Sequence, residues 1–531
     1  MKRILFLPLL FTILSVSAQQ KPKLIVGIIV DQMRQEYLYR FNEKFSDHGF
    51  KKLINEGYMY KNAHFNYVPT YTAPGHASVY TGTTPAIHGV IGNSWYDKES
   101  KQNIYCAHDE SESTVGSNSD NGHMSPRNLL TTTIGDELRF STQMRSKVIG
   151  LSIKDRGAIF PAGHTGEAFW YDKDTGDFIS STYYSEQLPE WVKEFNNQNK
   201  AENYLTQTWE PSANLDTYIE SINDENEYED GVGKDKATFP YPMKKDGYWM
   251  VPATPFGNEI LTDISLAAIK NTSLGEDDIT DLLAISFSST DYVGHGFGPN
   301  SKEVEDTYIK LDKNIATIIE TLDDEVGKGN YLIFLTADHA VAEVPQLLID
   351  SKVPAGYFDK KQLDKLNEAI EAKYGKGDWI ENVSNNQIFL NRKTIASNNQ
   401  NLIEIQNFVA DHLLLAKGVA RSYPAHLINS IDYDAGGVKG LMARGYNQKR
   451  SGDVIVELEP GWMIRSSKGS THGSAYTYDT HVPMIWYGAG VPVGESVNYH
   501  PITDIAPTLS MLLDIKLPNG ATGQPLTELL K

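Results

Sequence analysis

Three aspartates, three histidines and one threonine, far apart along the chain, have the residue types and local settings to do chemistry together. Asp31 ends the apolar run of IVGIIVDQM, and Asp291 and His295 lie in SFSSTDYVGHG. Asp338 and His339 close IFLTADH, and His472 sits in KGSTHGS. Imidazole nitrogen and carboxylate oxygen are zinc donors, usually about four to an ion, with an open position where the metal is catalytic. Asp291, His295 and His472 make a His/His/Asp set for one ion. Asp31, Asp338, His339 and the hydroxyl of Thr72, in TYTAPGH, make a second set. The expected cofactor is therefore two Zn2+ per chain. Thr72 is also the candidate nucleophile, because a threonine hydroxyl attacks well only when its alkoxide is favoured, as metal coordination favours it. A lone Asp or His after a strand is more often a cap or a surface group. The weight rests on all six together.

Such scattered residues need a scaffold that gathers them. Lys23 to Val30, Leu282 to Ser289 and Tyr331 to Ala337 are near-continuous apolar runs, the pattern of strands buried on both faces. His481 to Gly488 is a fourth candidate. Val304, Tyr308, Leu311, Ile315, Ile318 and Leu322 recur at helical steps between two of these runs. Strand, helix, strand in that order implies a right-handed parallel crossover. ITDIAPTLSMLLDI near the end reads as a second amphipathic helix. The expected fold class is α/β, a doubly wound, mostly parallel sheet sandwiched by helices. In such a sheet, sites form beyond the carboxyl ends of the strands, where Asp31, Asp291, Asp338 and His339 fall. Residues 186–255 and 342–465 break the rhythm and are expected to be insertions into one catalytic domain spanning 19–531.

The 531 residues are 40% hydrophobic, enough for a large core, and carry a formal net charge of -20. A surface of that sign disfavours nucleic acid and anionic lipid. MKRILFLPLLFTILSVSAQQ has a basic start, an apolar core and a small-residue cleavage site after Ala18, which predicts a signal peptide over residues 1–18 and a periplasmic or secreted product. Later runs are too short to span a bilayer, so no membrane attachment is expected after cleavage. Cys106 is the only cysteine, in NIYCAHDE without a basic neighbour, and reads as structural.

VDQM, TYTAPGHAS, GNSWYD, IKDRGA, STDYVGH, TADH and STHGS, in that order, resemble the alkaline phosphatase superfamily, and within it the PafA-type periplasmic alkaline phosphatases. The resemblance runs from about Lys23 to the end of the chain. It implies a two-zinc phosphate monoesterase that works through a phosphothreonine on Thr72, as a monomer acting on small-molecule phosphate esters. It assigns Asp291, His295 and His472 to one zinc, and Asp31, Asp338, His339 and Thr72 to the other. Asn93 matches a donor to the phosphoryl oxygens. Lys154 and Arg156 match the cationic pair of the monoesterase branch, where a dianion carries one more charge than a diester. A guanidinium can bind two oxygens in a planar fork, and an ammonium supplies a point charge.

His76, His164 and His481 are expected to pack or support rather than bind metal. No acidic cluster suggests a third, magnesium site. The principal alternative is a phosphodiesterase or phosphonate hydrolase on the same scaffold, against which Lys154 and Arg156 count. A sulfatase would need a Cys or Ser in a C/S-x-P-x-R arrangement, which TYTAPGH lacks. A phosphoglycerate mutase would place Ser at Thr72 and carry no export signal. A binding protein that merely keeps the fold would be expected to have lost a ligand or Thr72.

Overall fold

The computed structural model describes residues 21–530 apart from 233–236, 244–246 and 466. The expected signal peptide at 1–18 lies outside the described residues. Leu24–Val30, every residue of it buried, runs through the middle of an 11-stranded sheet. It pairs in parallel with Asp281–Phe287 on one side and Tyr331–Thr336 on the other. Val148–Ser152 and then Glu167–Tyr171 continue the parallel array beyond Asp281–Phe287. These are the near-continuous apolar runs, and burial on both faces explains why none of them alternates.

Most outer pairings of the sheet are antiparallel, though Gly494–Pro501 lies parallel to Tyr58–His64, so "mostly parallel" holds for its centre and the whole is mixed. Met484–Gly488 pairs antiparallel with both Tyr331–Thr336 and Tyr58–His64. The apolar run from His481 to Gly488 is broken into two strands, His481–Val482 and Met484–Gly488. Pro483, with no N–H to give a ladder, marks the break. Thr336 Oγ1 donates to its carbonyl at 2.7 Å.

The crossover helix is Lys302–Leu322, capped by Ser301, whose side chain accepts from the Val304 N–H at 3.2 Å. The Val304 to Leu322 stripe is its buried face. The closing helix is Ile505–Leu513, entered through a short 3-10 turn at Ile502–Asp504. No described helix is long and apolar enough to cross a membrane.

Residues 342–465 carry a four-stranded antiparallel sheet of their own, in the order Ile380–Ser384, Gln387–Leu390, Val454–Leu458, Val419–Pro424. Helices Lys361–Tyr374 and Leu402–Leu413 cover it. Leu366, Ile370, Trp379, Ile405 and Val409 form a separate apolar core beneath them. One hairpin of this sheet turns at Asn385 and Asn386, both at positive φ (52° and 56°), as a two-residue primed turn requires. Its tip reaches the main domain, where Asn385 Nδ2 donates to Ser94 O at 2.7 Å. Cys106 is fully buried, in agreement with a packing role.

Candidate metal centre and active site

The parallel strands end together, and their next residues form the site. Asp31 follows Leu24–Val30, and Asp338 and His339 follow Tyr331–Thr336. Asp291 and His295 lie one turn apart on the helix Ser289–Phe297, which starts just after Asp281–Phe287. His472 comes from a loop whose Ser470 N–H donates to the carbonyl of His295 at 3.1 Å. The six side chains lie close together. Asp291 Oδ1 is 3.2 Å from His295 Nε2 and 3.6 Å from His472 Nε2. His339 Nε2 is 3.5 Å from Asp31 Oδ1 and 3.6 Å from Asp338 Oδ2. Two donor sets follow, Asp291/His295/His472 and Asp31/Asp291/His339, joined by Asp291.

The donors are arranged for cations. Each imidazole is fixed through Nδ1 to a backbone carbonyl: His295 to Ser470 O at 2.7 Å, His472 to Thr70 O at 2.7 Å, and His339 to Ala340 O at 3.0 Å. A carbonyl only accepts, so each Nδ1 carries a proton and Nε2 is the nitrogen turned toward the carboxylates. Asp31 Oδ1, Asp338 Oδ2 and His339 Nε2 are buried with no hydrogen-bond partner. Orphans of this kind are expensive unless an ion satisfies them, so the residues present fit a metal pair.

Among the described residues, Lys154 is the one ammonium in the cluster. Its Nζ bridges Asp31 Oδ2 at 2.7 Å and Asp291 Oδ2 at 2.6 Å. Burial works against the Asp291 carboxylate, but His295 and Lys154 beside it outweigh burial and hold it well below its usual range. Burial and the nearby Asp291 push Asp31 up to about 6. Burial and Asp31 push Asp338 well above the usual carboxylate range. Burial, followed by His295, lowers His472 to about 3, so it is a neutral imidazole. One lysine thus leaves three buried carboxylates short of positive charge, the condition a divalent cation relieves.

Thr72 is the first residue of the helix Thr72–Thr81, after an extended Tyr71 that makes no side-chain cap. It is therefore not a capping residue, and its hydroxyl is not used by the helix end. That first turn packs on the end of the Asp338 strand. A Cβ at Gly75 would lie 2.2 Å from Asp338 O, so only glycine allows the approach. Asn93 Oδ1 accepts from the Ala73 N–H at 2.9 Å, which orients its amide and leaves Nδ2 to donate elsewhere. Lys154 lies just before the helix Asp155–Ala162 and Arg156 within it. Arg156 Nη1 donates to Tyr105 Oη at 3.0 Å, its Nε is buried without a partner, and its charge stabilises the Asp31 carboxylate.

His76, His164 and His481 belong to neither donor set. His76 bridges Thr72 O (2.8 Å) and Ser286 Oγ (2.7 Å). His164 meets Asp136 Oδ2 at 3.0 Å, behind the capping box of the helix Ile134–Ser141. His481 stacks on His64 with ring centroids 4.5 Å apart.

Sequence reasoning passed over Gln32. Its backbone N–H donates to Asp338 Oδ1 (3.2 Å) and its Nε2 to Asp291 Oδ1 (2.5 Å), which cross-braces ligands from the two ends of the site. It does so from a left-handed conformation (φ 68°) that non-glycine residues rarely adopt. Its position beside Asp31 at a strand end was the available signal. Gln32→Ala is expected to weaken metal affinity by about 10–100-fold, the usual effect of losing a partner that orients ligands. Competition with a chromophoric chelator measures it, and unchanged affinity would remove Gln32 from this role.

A mixed sheet with a buried carboxylate–imidazole cluster at its strand ends defines an α/β scaffold with two candidate metal sites. The model of the family described as type I phosphodiesterase / nucleotide pyrophosphatase matches residues 25–482, and the chain belongs to that family. Among its relatives, a protein of Myroides odoratus named calcium-transporting ATPase is 43% identical, covering 98% of this chain and 97% of its own. Alkaline phosphatase PafA of Elizabethkingia meningoseptica is 43% identical, covering 97% and 95%. The crystal structure of wild-type PafA superposes with a TM-score of 0.93 over 96% of this chain and 99% of that one. Another PafA structure is of a mutant substituted at a threonine, an asparagine, a lysine and an arginine. Within the family, the chain is PafA-like.

Proposed function

We propose that this chain hydrolyses phosphate monoesters and releases inorganic phosphate, with Thr72 as the nucleophile. The observation that carries the reading is the convergence of six ligand side chains, three of their buried atoms unpaired, against the first turn of the Thr72 helix. Thr72 Oγ1 attacks phosphorus and gives up its proton, the ester P–O bond breaks, and the departing alkoxide takes up one proton from solvent, so the step is proton-neutral. Water then attacks the phosphothreonine and loses a proton, the Oγ1–P bond breaks, Oγ1 regains a proton, and phosphate departs. Asp291, His295 and His472 would hold one zinc, and Asp31, Asp338 and His339, with Thr72 Oγ1, the other. Such a pair supplies Lewis acidity to the attacking and leaving oxygens. Asn93 Nδ2, Lys154 and Arg156 bind the remaining phosphoryl oxygens.

The relatives support this reading. The threonine and asparagine replaced in the PafA mutant are spaced as Thr72 and Asn93 are, and its lysine and arginine as Lys154 and Arg156 are. The family description names phosphodiesterases, the alternative chemistry, and the Lys154–Arg156 pair favours the dianionic monoester over it. We further read the leader at 1–18 as export to the periplasm or beyond, and the working enzyme as a monomer. The test is turnover of p-nitrophenyl phosphate before chelation, after it, and after zinc return. Activity should fall to background on chelation and recover with about two zinc ions per chain. A zinc-loaded protein without turnover would overturn the proposal.

A further inference from the structure

The hairpin turning at Asn385 and Asn386 does more than complete a surface sheet. It forms a wall shared by two adjoining clefts. The first, of about 130 Å³, runs along Thr471, His472 and Gly473, and Trp462 lines it. The second, of about 280 Å³, has an apolar floor of Phe358, Leu363, Ile388, Leu413 and Val456. Tyr71, Asn386, Leu458 and Ile464 line both, so the two are continuous. Tyr71 is the hinge between chemistry and cleft. It immediately precedes Thr72, and its ring meets His472 edge-on with centroids 5.7 Å apart.

Several contacts hold the walls in place. Asn385 is tied to Ser94, the neighbour of Asn93. From the strand Val454–Leu458, Glu457 Oε1 accepts from the Ala475 N–H at 3.0 Å, and the Leu458 carbonyl accepts from Tyr476 Oη at 2.9 Å. Ala475 and Tyr476 follow His472 closely, so the small sheet is pinned on both sides of the site. Val383 and Ile464 stand at the mouth with 41% of their surface exposed, apolar surface with no protein partner to cover it.

Taking Thr72 as the attacking group, in-line displacement places the departing alcohol away from it, toward the Asp291, His295 and His472 set. The cleft opens beside His472. We propose that this cleft is the leaving-group subsite, and that it selects phosphate monoesters whose alcohol is aromatic or bulky and apolar. The inference rests on the phosphatase reading and adds the substrate class. Asn386 and Lys360 at its edge accommodate a polar substituent on such an alcohol.

The experiment compares wild type with Val383→Asp and Ile464→Asp, both at exposed positions, after circular dichroism shows folded protein. Calorimetry on the zinc-loaded chains gives dissociation constants for naphthylmethylphosphonate and methylphosphonate, which carry no ester bond to cleave. Wild type should bind the naphthyl compound more tightly, and each variant should narrow that ratio by about tenfold or more, the scale of discrimination by an apolar pocket. The ratio of kcat/KM for 1-naphthyl phosphate to that for methyl phosphate should fall in parallel. Equal binding of the two phosphonates by wild type, or ratios unmoved in folded variants, would overturn the subsite. Absence of turnover on any ester in wild type is the separate failure of the phosphatase reading, since the phosphonate ratio is still measured.

Discussion

Thr72→Ala lowers kcat/KM for phosphate monoesters by about 10⁴-fold or more, the loss typical of removing a nucleophile, and leaves the chain folded and able to bind metal. The structure separates these effects. Thr72 is the first helical residue, not the cap, so alanine removes no helix-end hydrogen bond. Alanine is also the best intrinsic helix former. Asp31, Asp338 and His339 stay in place, because Lys154, Gln32 and the Ala340 carbonyl respectively orient them independently of Thr72. Thr72→Ser keeps the hydroxyl and should retain far more activity than Thr72→Ala. The checks are steady-state kinetics, metal content, and acid quench of the wild type during turnover. The quench should recover one phosphoryl group on the peptide containing Thr72 and none in the alanine variant. Full activity of Thr72→Ala would overturn both the nucleophile and the proposed intermediate.

The ligands were legible in the sequence because the elements bearing them have strong one-dimensional signatures. A strand buried on both faces must be almost wholly apolar, so a polar residue at its end stands out, as Asp31 and Asp338 do after their runs. Asp291 and His295 share a face because they are four apart on a helix. Other features depended on distant partners that leave no local pattern. Lys154 reads as a phosphate ligand in sequence, yet its Nζ is held between Asp31 and Asp291. The antiparallel edges of the sheet depend on which strands happen to meet, which apolarity alone does not encode. The hairpin of VSNNQIFL is visible as a turn, but its contact with Ser94 joins segments with no shared periodicity. What was missed therefore clusters among the groups that brace the carboxylate–imidazole cluster and along the cleft walls.

Lys154 and Arg156 carry the other large effect. Replacing both with alanine should cut monoester kcat/KM by about 10²–10⁴-fold and diester kcat/KM by about tenfold or less, since charge-assisted contacts count for most where phosphoryl charge is greatest. Arg156 is held by Tyr105 with its Nε unpaired, ready to meet an oxygen without reorganising. Lys154 has a second role, because its Nζ neutralises Asp31 and Asp291. The single variants distinguish the two. Arg156→Ala should lower monoesterase activity with little change in metal affinity, since Arg156 hydrogen-bonds Tyr105 and its charge is a minor influence on Asp31. Lys154→Ala removes a positive charge held at the Oδ2 atoms of the two carboxylates whose Oδ1 atoms face the imidazoles, so its zinc affinity should rise while its monoesterase activity falls. Both are read on one preparation by chelator competition and by paired rates on p-nitrophenyl phosphate and bis-p-nitrophenyl phosphate. Equal losses on the two substrates would mean that the cation pair supports the site generally and does not select the dianion, and the phosphodiesterase alternative would regain its standing.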